Sequence, residues 1–213
     1  MFNSSYSQFY DLFNRDKPYQ KEVEFVYKWA QKPESIIDLG CGTANYWKYY
    51  PKETKIIGLD KSASMINKNK PVVRGDVKDL PMFFDSLDCA TALFDVLNYI
   101  QSHEWWKNIP IKKGGYFVFD IWDKKKVDKQ GFKETAKTAG NLVRSIVPIS
   151  YDGKSANLSV MVFQDDTILA CTEIHKMYVH SHKDIERFCG KEFEIVDVKP
   201  TRKWQTWYKC KRK

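Results

Sequence analysis

The sequence predicts an α/β fold: a doubly wound, mostly parallel sheet with helices on both faces and an antiparallel β excursion after strand five. Three observations predict it. Short apolar runs recur through the first 122 residues, at IIDLG (36–40), KIIGLD (55–60), PVV (71–73), LDCATALFD (87–95) and GYFVFDIW (115–122). They lack the polar alternation of half-solvated strands, as expected of strands covered on both faces. Helical stretches lie between them, and alternating strands and helices fold into a parallel sheet with right-handed crossovers. After Trp122 extended segments follow one another across turns, which predicts antiparallel pairing.

In chain order, residues 19–31 (YQKEVEFVYKWAQ) bring Val23, Val26 and Tyr27 to one face at helical spacing, and Pro33 stops the helix. The five strands follow. Beyond them NLVRSIVPI (141–149), ANLSVMVFQ (156–164) and ILACTEIHKMYV (168–179) are separated by turn signals at Tyr151-Asp-Gly and at Asp165-Asp166. A short helix near Lys183 to Cys189 then precedes EFEIVDV (192–198) and KWQTWYKCK (203–211), a terminal hairpin that completes the sheet. No repeat or linker interrupts the chain, and 213 residues with 43% apolar content build one core, so the prediction is a single domain over 1–213.

Composition narrows the function classes. No run approaches the roughly 18 apolar residues of a membrane span, and the polar start MFNSSYSQ lacks the basic-then-apolar layout of a secretory leader, so the expectation is a cytoplasmic protein with no membrane partner. Cys41, Cys89, Cys171, Cys189 and Cys210 are scattered, odd in number and without CxxC spacing, which argues against a disulfide framework or zinc and for reduced, mostly buried thiols. No His/Asp/Glu set has ligand spacing, so no metal is expected, and His180-Ser-His182 reads as an exposed helix start. The net charge of +8 attracts anions. Seven Lys or Arg residues between Lys199 and Lys213, interleaved with Trp204, Trp207 and Tyr208, fit either nucleic-acid contacts or an edge strand whose charges block aggregation.

The strongest local signal is Asp38-Leu-Gly-Cys-Gly-Thr-Ala44, an acid at a strand end followed by small residues. Gly40 and Gly42 permit a tight turn whose backbone can approach a bound nucleoside. Three acids then stand at consecutive strand ends, Asp38, Asp60 and Asp76, where an open parallel sheet forms its ligand crevice. Asp60, some 20 residues past the glycines, is placed to accept from a ribose diol. Asp76 can accept from an adenine amino group, and Asp38 faces the cationic end of the ligand. No Lys or Arg occupies the glycine turn, which excludes a Walker-type phosphate loop.

With IIDLGCGTAN, IIGLDKSASMI, VRGDVKDL, the LFDVLNYI strand end and KKGGYFVFDIW, residues 6–122 resemble the class I S-adenosylmethionine-dependent methyltransferase superfamily. The resemblance implies a Rossmann-like core, S-adenosyl-L-methionine as cofactor, and cofactor contacts from Asp38, Gly40, Cys41, Gly42, Asp60, Lys61, Met65, Asp76, Val77 and Phe94, with Phe94 against adenine. Ala44 departs from the pattern, which often has a third glycine there. SQFYDLFNRDKPYQKEVEFVYKWA and EIHKMY are similar to the branch that includes nucleotide-activated amino-sugar N-methyltransferases. That likeness implies a helical lid over 1–32 bearing Tyr10 and Tyr19 toward the methionyl part, a cofactor-binding core over 33–122, an antiparallel substrate-covering layer over 139–180, and a final helix and hairpin over 181–213. It also places Tyr99 as a base and His175 on the substrate, and a homodimer is an expected partner state.

Methyl transfer is an in-line displacement at a sulfonium, so the protein has to align the acceptor and exclude water without a metal. An alkyl amine arrives as ammonium and has to lose a proton, which makes Tyr99 and Asp95, near the end of the fourth strand, candidates for the acceptor's edge of the pocket. Each has a plain alternative: Tyr99 as a packing tyrosine, His175 as a core histidine, Tyr10 and Tyr19 as helix or surface aromatics, and Tyr6, otherwise part of the lid, as a frayed terminus. Trp47, Trp105 and Trp106 receive no role. The favoured acceptor is an amino group of a nucleotide-linked sugar, with the basic tail as counter-charge. Phe94-Asp95-Val96-Leu97 stands where nucleobase amino-methyltransferases carry an Asn/Asp-Pro-Pro-aromatic motif, which disfavours nucleic acid. Sugar or metabolite O-methylation, nucleic-acid methylation and a non-catalytic S-adenosylmethionine-binding module remain the rival readings.

Overall fold

Two short apolar strands, β1 (Ser35–Leu39) and β4 (Leu87–Ala92), lie side by side and parallel at the middle of a seven-stranded sheet. The computed structural model describes residues 4–80, 87–165, 167–201 and 204–213; Asp166, Arg202 and Lys203, which the turn and tail readings used, lie outside them. Around that pair the order is β3 (Val72–Arg74), β2 (Lys55–Asp60), β1, β4, β5 (Ile111–Trp122), β11 (Gln205–Arg212) and β10 (Phe193–Pro200). The five strands of the first half run parallel, and β11 and β10 add as an antiparallel hairpin. Chain order reverses between β1 and β4, and at such a switch point the carboxyl ends of the strands open a ligand crevice.

Both faces of the sheet are covered, which is why its strands read as unbroken apolar runs. Along β5 the side chains alternate: Phe117, Phe119 and Ile121 pack with Trp105, Trp106 and Phe188 on one face, and Val118 joins Trp47 and Trp207 on the other. Helix α2 (Tyr19–Trp29) seats Val23 and Val26 on that second face, as its periodicity predicts. Helix α1 (Ser4–Asn14) precedes it.

The connections depart from expectation. Where helical crossovers were expected, the described links between β1 and β5 carry only 3-10 turns, at Trp47–Tyr49, Val77–Asp79, Val96–Tyr99 and Glu104–Asn108. Thr43, Asn45 and Pro51 explain the first: they favour turns over continued helix.

After α3 (Lys124–Gln130), which shows one buried residue, Val127, and hence little periodicity, a second sheet forms from β6 (Thr135–Ala139), β7 (Leu142–Tyr151), β8 (Ser155–Gln164) and β9 (Ile168–Tyr178), antiparallel throughout. The last three are the segments expected; the small, polar β6 was not. Helix α4 (His182–Cys189) starts at a Ser181/Asp184 capping box.

Two readings of the C-terminal half are corrected. His180 is buried, its Nε2 on the carbonyl oxygens of Leu97 (3.1 Å) and Ile100 (3.0 Å), not an exposed helix start. The basic strand β11 is no edge strand, because β10 lies outside it. Lys199 and Lys209 stand over the Trp29 ring, and Arg212 pairs with Glu192, so much of the tail's charge is engaged locally. The five cysteines are free, buried thiols. Among the described residues no helix is long and apolar enough to cross a membrane.

Candidate active site

Leu39 leads into a turn that only small residues can make. Gly40 and Gly42 have φ of +68° and +53°, and a Cβ on Gly40 would stand 2.7 Å from the Val96 methyls. Gly40→Ala should therefore destabilise the fold by about 2 to 4 kcal/mol, left-handed strain plus overpacking, and lower Tm by roughly 5 to 15 °C in a melt. Ala44 takes the same left-handed region at φ +59° with its methyl buried, so alanine in place of a third glycine keeps the turn, though a 3-10 turn follows rather than a helix.

The register of the strands assembles the acids. Asp38 pairs with Gly58 on one side and Thr91 on the other. Thr91 Oγ1 donates to one carboxylate oxygen (2.9 Å) and the indole Nε1 of Trp47 to the other (2.8 Å). Gly58 makes room for that indole, since a Cβ there would meet Trp47 at 2.8 Å. Trp47 is thus a site residue that sequence reasoning missed; nothing in YWKYY distinguishes it from a packing aromatic. Burial pushes the Asp38 carboxyl up to about 6 against the pull of those two bonds.

At the end of β2, Asp60 accepts from the backbone N–H of Gly42 and of Ser62, each at 2.8 Å and on a different oxygen. Each oxygen keeps a lone pair for a ligand hydroxyl. Burial raises its carboxyl. Asp76 accepts from Lys78 N and pairs with Lys61 Nζ at 2.6 Å. Partial burial works the other way, but these contacts hold its carboxyl below the usual range.

These groups line a cavity of about 370 Å³ at the switch point, within the range of small-molecule sites. Tyr10, Tyr19, Asp38, Gly40, Cys41, Gly42, Asp60, Lys61, Met65, Asp76, Val77 and Phe94 all face it, as does Tyr99. Asp95 does not. It turns instead into a neighbouring cavity of about 1020 Å³ with Trp122, Phe132 and Trp204 and with Lys17, Lys21 and Arg144. Phe94 lines both cavities, so the two meet at its ring.

Helix α1 is fastened over the glycine turn: Asp11 Oδ1 accepts from Thr43 Oγ1 and Asn45 Nδ2, both at 2.7 Å. This presents Tyr10 to the first cavity. Lys17, in the link to α2, bonds Tyr46 Oη (2.7 Å) and Glu22 and lies 4.5 Å from the Phe94 ring centre. Burial pushes Tyr19 up to about 12.

At the wall of the first cavity Tyr99 Oη lies 2.9 Å from Nδ1 of His175 on β9, a residue buried behind that wall rather than lining it as a substrate contact would, and His175 Nε2 lies 3.5 Å from Glu173 Oε2. Glu173, which the sequence reading gave no role, also accepts from the backbone N–H of Tyr6 at 2.9 Å. The turn carrying Tyr99 is tied to the end of β9 by Asn98 Nδ2, which donates to Tyr178 O (2.6 Å), and by His180. Burial pulls the His175 imidazole down to about 4 and lifts the Tyr99 hydroxyl well above the ordinary phenol range. A neutral imidazole with Nε2–H toward Glu173 leaves Nδ1 to accept from Tyr99.

The sign for stability follows from linkage. Between pH 6.5 and 4 the unfolded chain binds a proton at His175 that the folded chain refuses, so stability falls on acidification through that window. Asp38, whose carboxyl is raised, acts in the opposite sense, so the comparison has to be between variants. The stability difference between the native chain and His175→Gln should shift by roughly 2 kcal/mol from pH 7 to pH 5, read from urea unfolding, with the native chain losing more.

Comparison with known proteins shows what this chain is similar to. The family described as "Methyltransferase domain" matches residues 37–119, from within β1 to within β5, which includes the glycine turn, Asp60 and Tyr99. Over that stretch, about two fifths of the chain, the sequence is similar to methyltransferase domains. An uncharacterized protein of Methanocaldococcus jannaschii is 30% identical over 133 residues, 58% of this chain and 52% of that protein. The alignments span 52% and 60% of the two curated relatives matched, so the chain corresponds to little more than half of each. Two solved methyltransferases share the fold. An S-adenosylmethionine-dependent methyltransferase from Clostridium acetobutylicum has a TM-score of 0.79 at 19% identity, covering 96% of both chains. The sugar N-methyltransferase KedS8 from Streptoalloteichus has 0.74 at 18% identity, covering 96% of this chain and 93% of its own.

Proposed function

We propose that this chain transfers a methyl group from S-adenosylmethionine to an amino group of a small molecule, with a nucleotide-linked sugar as the favoured acceptor. The observation that carries the reading is the contact of Tyr99 with His175 at the wall of the cavity that Asp38 and Asp60 line. The donor set fits the cofactor: carboxylates for a ribose diol and for a cationic end, Met65, Val77 and Phe94 as apolar walls. When bound, S-adenosylmethionine supplies an electrophilic methyl group on a sulfonium.

The chain's own residues do the rest. Asp60 holds the ribose by its free lone pairs, and Phe94 covers the purine. Tyr99 receives an N–H of the incoming ammonium on its oxygen while its own proton passes to His175 Nδ1; burial disfavours the resulting imidazolium, so it is a transient beside Glu173 and not a resting state. This leaves a neutral amine whose lone pair can attack. The larger cavity receives the remainder of the acceptor. Its aromatic rings suit a base or sugar face, and Lys17, Lys21 and Arg144 suit phosphate oxygens. The structural likeness to a sugar N-methyltransferase supports the same acceptor class.

A product mass spectrum tests it. Incubation with S-adenosylmethionine and a nucleoside-diphosphate amino sugar should add one methylene equivalent to the amine-bearing sugar and none to its hydroxyl analogue. Methylation of the hydroxyl analogue alone would make the chain an O-methyltransferase.

A further inference from the structure

Immediately after β4 the backbone does something side chains discourage. Phe94 and Asp95 both adopt left-handed conformations, with φ of +69° and +65°. Single residues of this kind are uncommon, and two in succession, one of them aromatic, persist only where surrounding structure holds them.

The holding group is Asp120. Its Oδ1 accepts from the Phe94 N–H at 2.6 Å and its Oδ2 from the Asp95 N–H at 3.2 Å. It stands on β5 one residue beyond Phe119, whose partner Ala92 is the last residue of β4, so its side chain lies at the exit of that strand. A carboxylate is the one short side chain with two acceptor oxygens in a fixed fork, and here they meet two successive amide donors. Asp120 is 1% exposed and shares its surroundings with the Asp95 carboxyl, an arrangement that burial and like charge both oppose. The two amide bonds and the nearby Lys17 ammonium oppose this only in part, and burial with the neighbouring Asp95 charge holds the Asp120 carboxyl well above the usual range.

The turn decides what each cavity receives. It sends the Phe94 ring to the junction of the two cavities and the Asp95 side chain into the larger one alone. We infer that Asp120 is a positioning residue that fixes the Phe94–Asp95 turn and thereby sets the wall shared by cofactor and acceptor. The inference rests on the proposed function for the identity of the ligands, and on hydrogen bonds and backbone geometry for the role.

Calorimetry with S-adenosylhomocysteine on the full chain tests it, using Asp120→Ala, Asp120→Asn, Phe94→Ala and the Phe94→Ala/Asp120→Ala pair, with a thermal melt of each. Asp120→Ala should weaken binding about tenfold or more, and Asp120→Asn, which keeps one acceptor, by less. The double variant should bind no worse than Asp120→Ala alone, because the aspartate acts through the Phe94 ring; independent roles would multiply the losses. Binding by Asp120→Ala within about twofold of the native chain, or multiplicative losses, would overturn the inference. If Asp120→Ala does not fold, the same cycle with Asp120→Asn decides it. Absence of binding by the native chain would strike at the cofactor reading instead.

Discussion

Tyr99→Phe should lower turnover by about 10²-fold or more while the affinity for S-adenosylhomocysteine stays within about twofold. The substitution removes one oxygen and keeps the ring, so the packing of Tyr99 against His175 and its place in the cavity wall survive. What disappears is the hydroxyl that links the cavity with the imidazole, at 2.9 Å. His175→Gln should show the same split between turnover and cofactor affinity, because it interrupts the path beyond the hydroxyl. Both variants should recover part of their rate as pH rises, since more of the amine then arrives already unprotonated. Paired initial-rate and binding measurements check this; full activity in Tyr99→Phe would return that residue to packing alone.

The second large effect falls on the cofactor. Asp60→Ala should weaken cofactor binding by about 1.5 to 3 kcal/mol, a factor of roughly 10 to 150 in Kd. Two causes act together. The ribose loses its acceptors, and the Gly42 and Ser62 amides lose the carboxylate that now fixes the glycine turn to the end of β2. Asp60→Asn should lose less, because one oxygen remains to accept. Asp76→Ala, by contrast, removes a carboxylate already engaged by Lys61, so its effect should be the smaller of the two. Titration of each variant by calorimetry gives the order directly.

How much of this was legible beforehand depends on how local the signal was. Buried parallel strands announce themselves by apolar runs, and β2 appears at its expected limits, Lys55 to Asp60. The glycine turn was legible because its demand for small residues is a backbone property. The crossovers were not: a 3-10 turn of three to five residues leaves no periodicity, and aromatic-rich segments such as WKY satisfy helix and turn patterns equally. In the site, the acids at strand ends were readable because strand ends are readable. Asp95 was misplaced because its neighbour's left-handed φ turns the side chain into the other cavity, which no spacing rule foresees. Glu173 and Asn98 were missed and His180 was misread since their roles depend on partners 80 to 167 residues distant in the chain, with β9 lying against the turn that bears Tyr99. Trp47 was missed for a similar reason: its bond to Asp38 exists because Gly58 vacates the space between them.

The most direct test of the central claim, that the carboxylate-lined cavity between β1 and β4 is a cofactor site, is a calorimetric titration of the native chain with S-adenosylmethionine beside the Asp60→Ala variant. Saturable binding of one equivalent per chain, in the micromolar range and weakened by the substitution, is the predicted result. No binding at about millimolar cofactor, or binding that Asp60→Ala leaves unchanged, would contradict it.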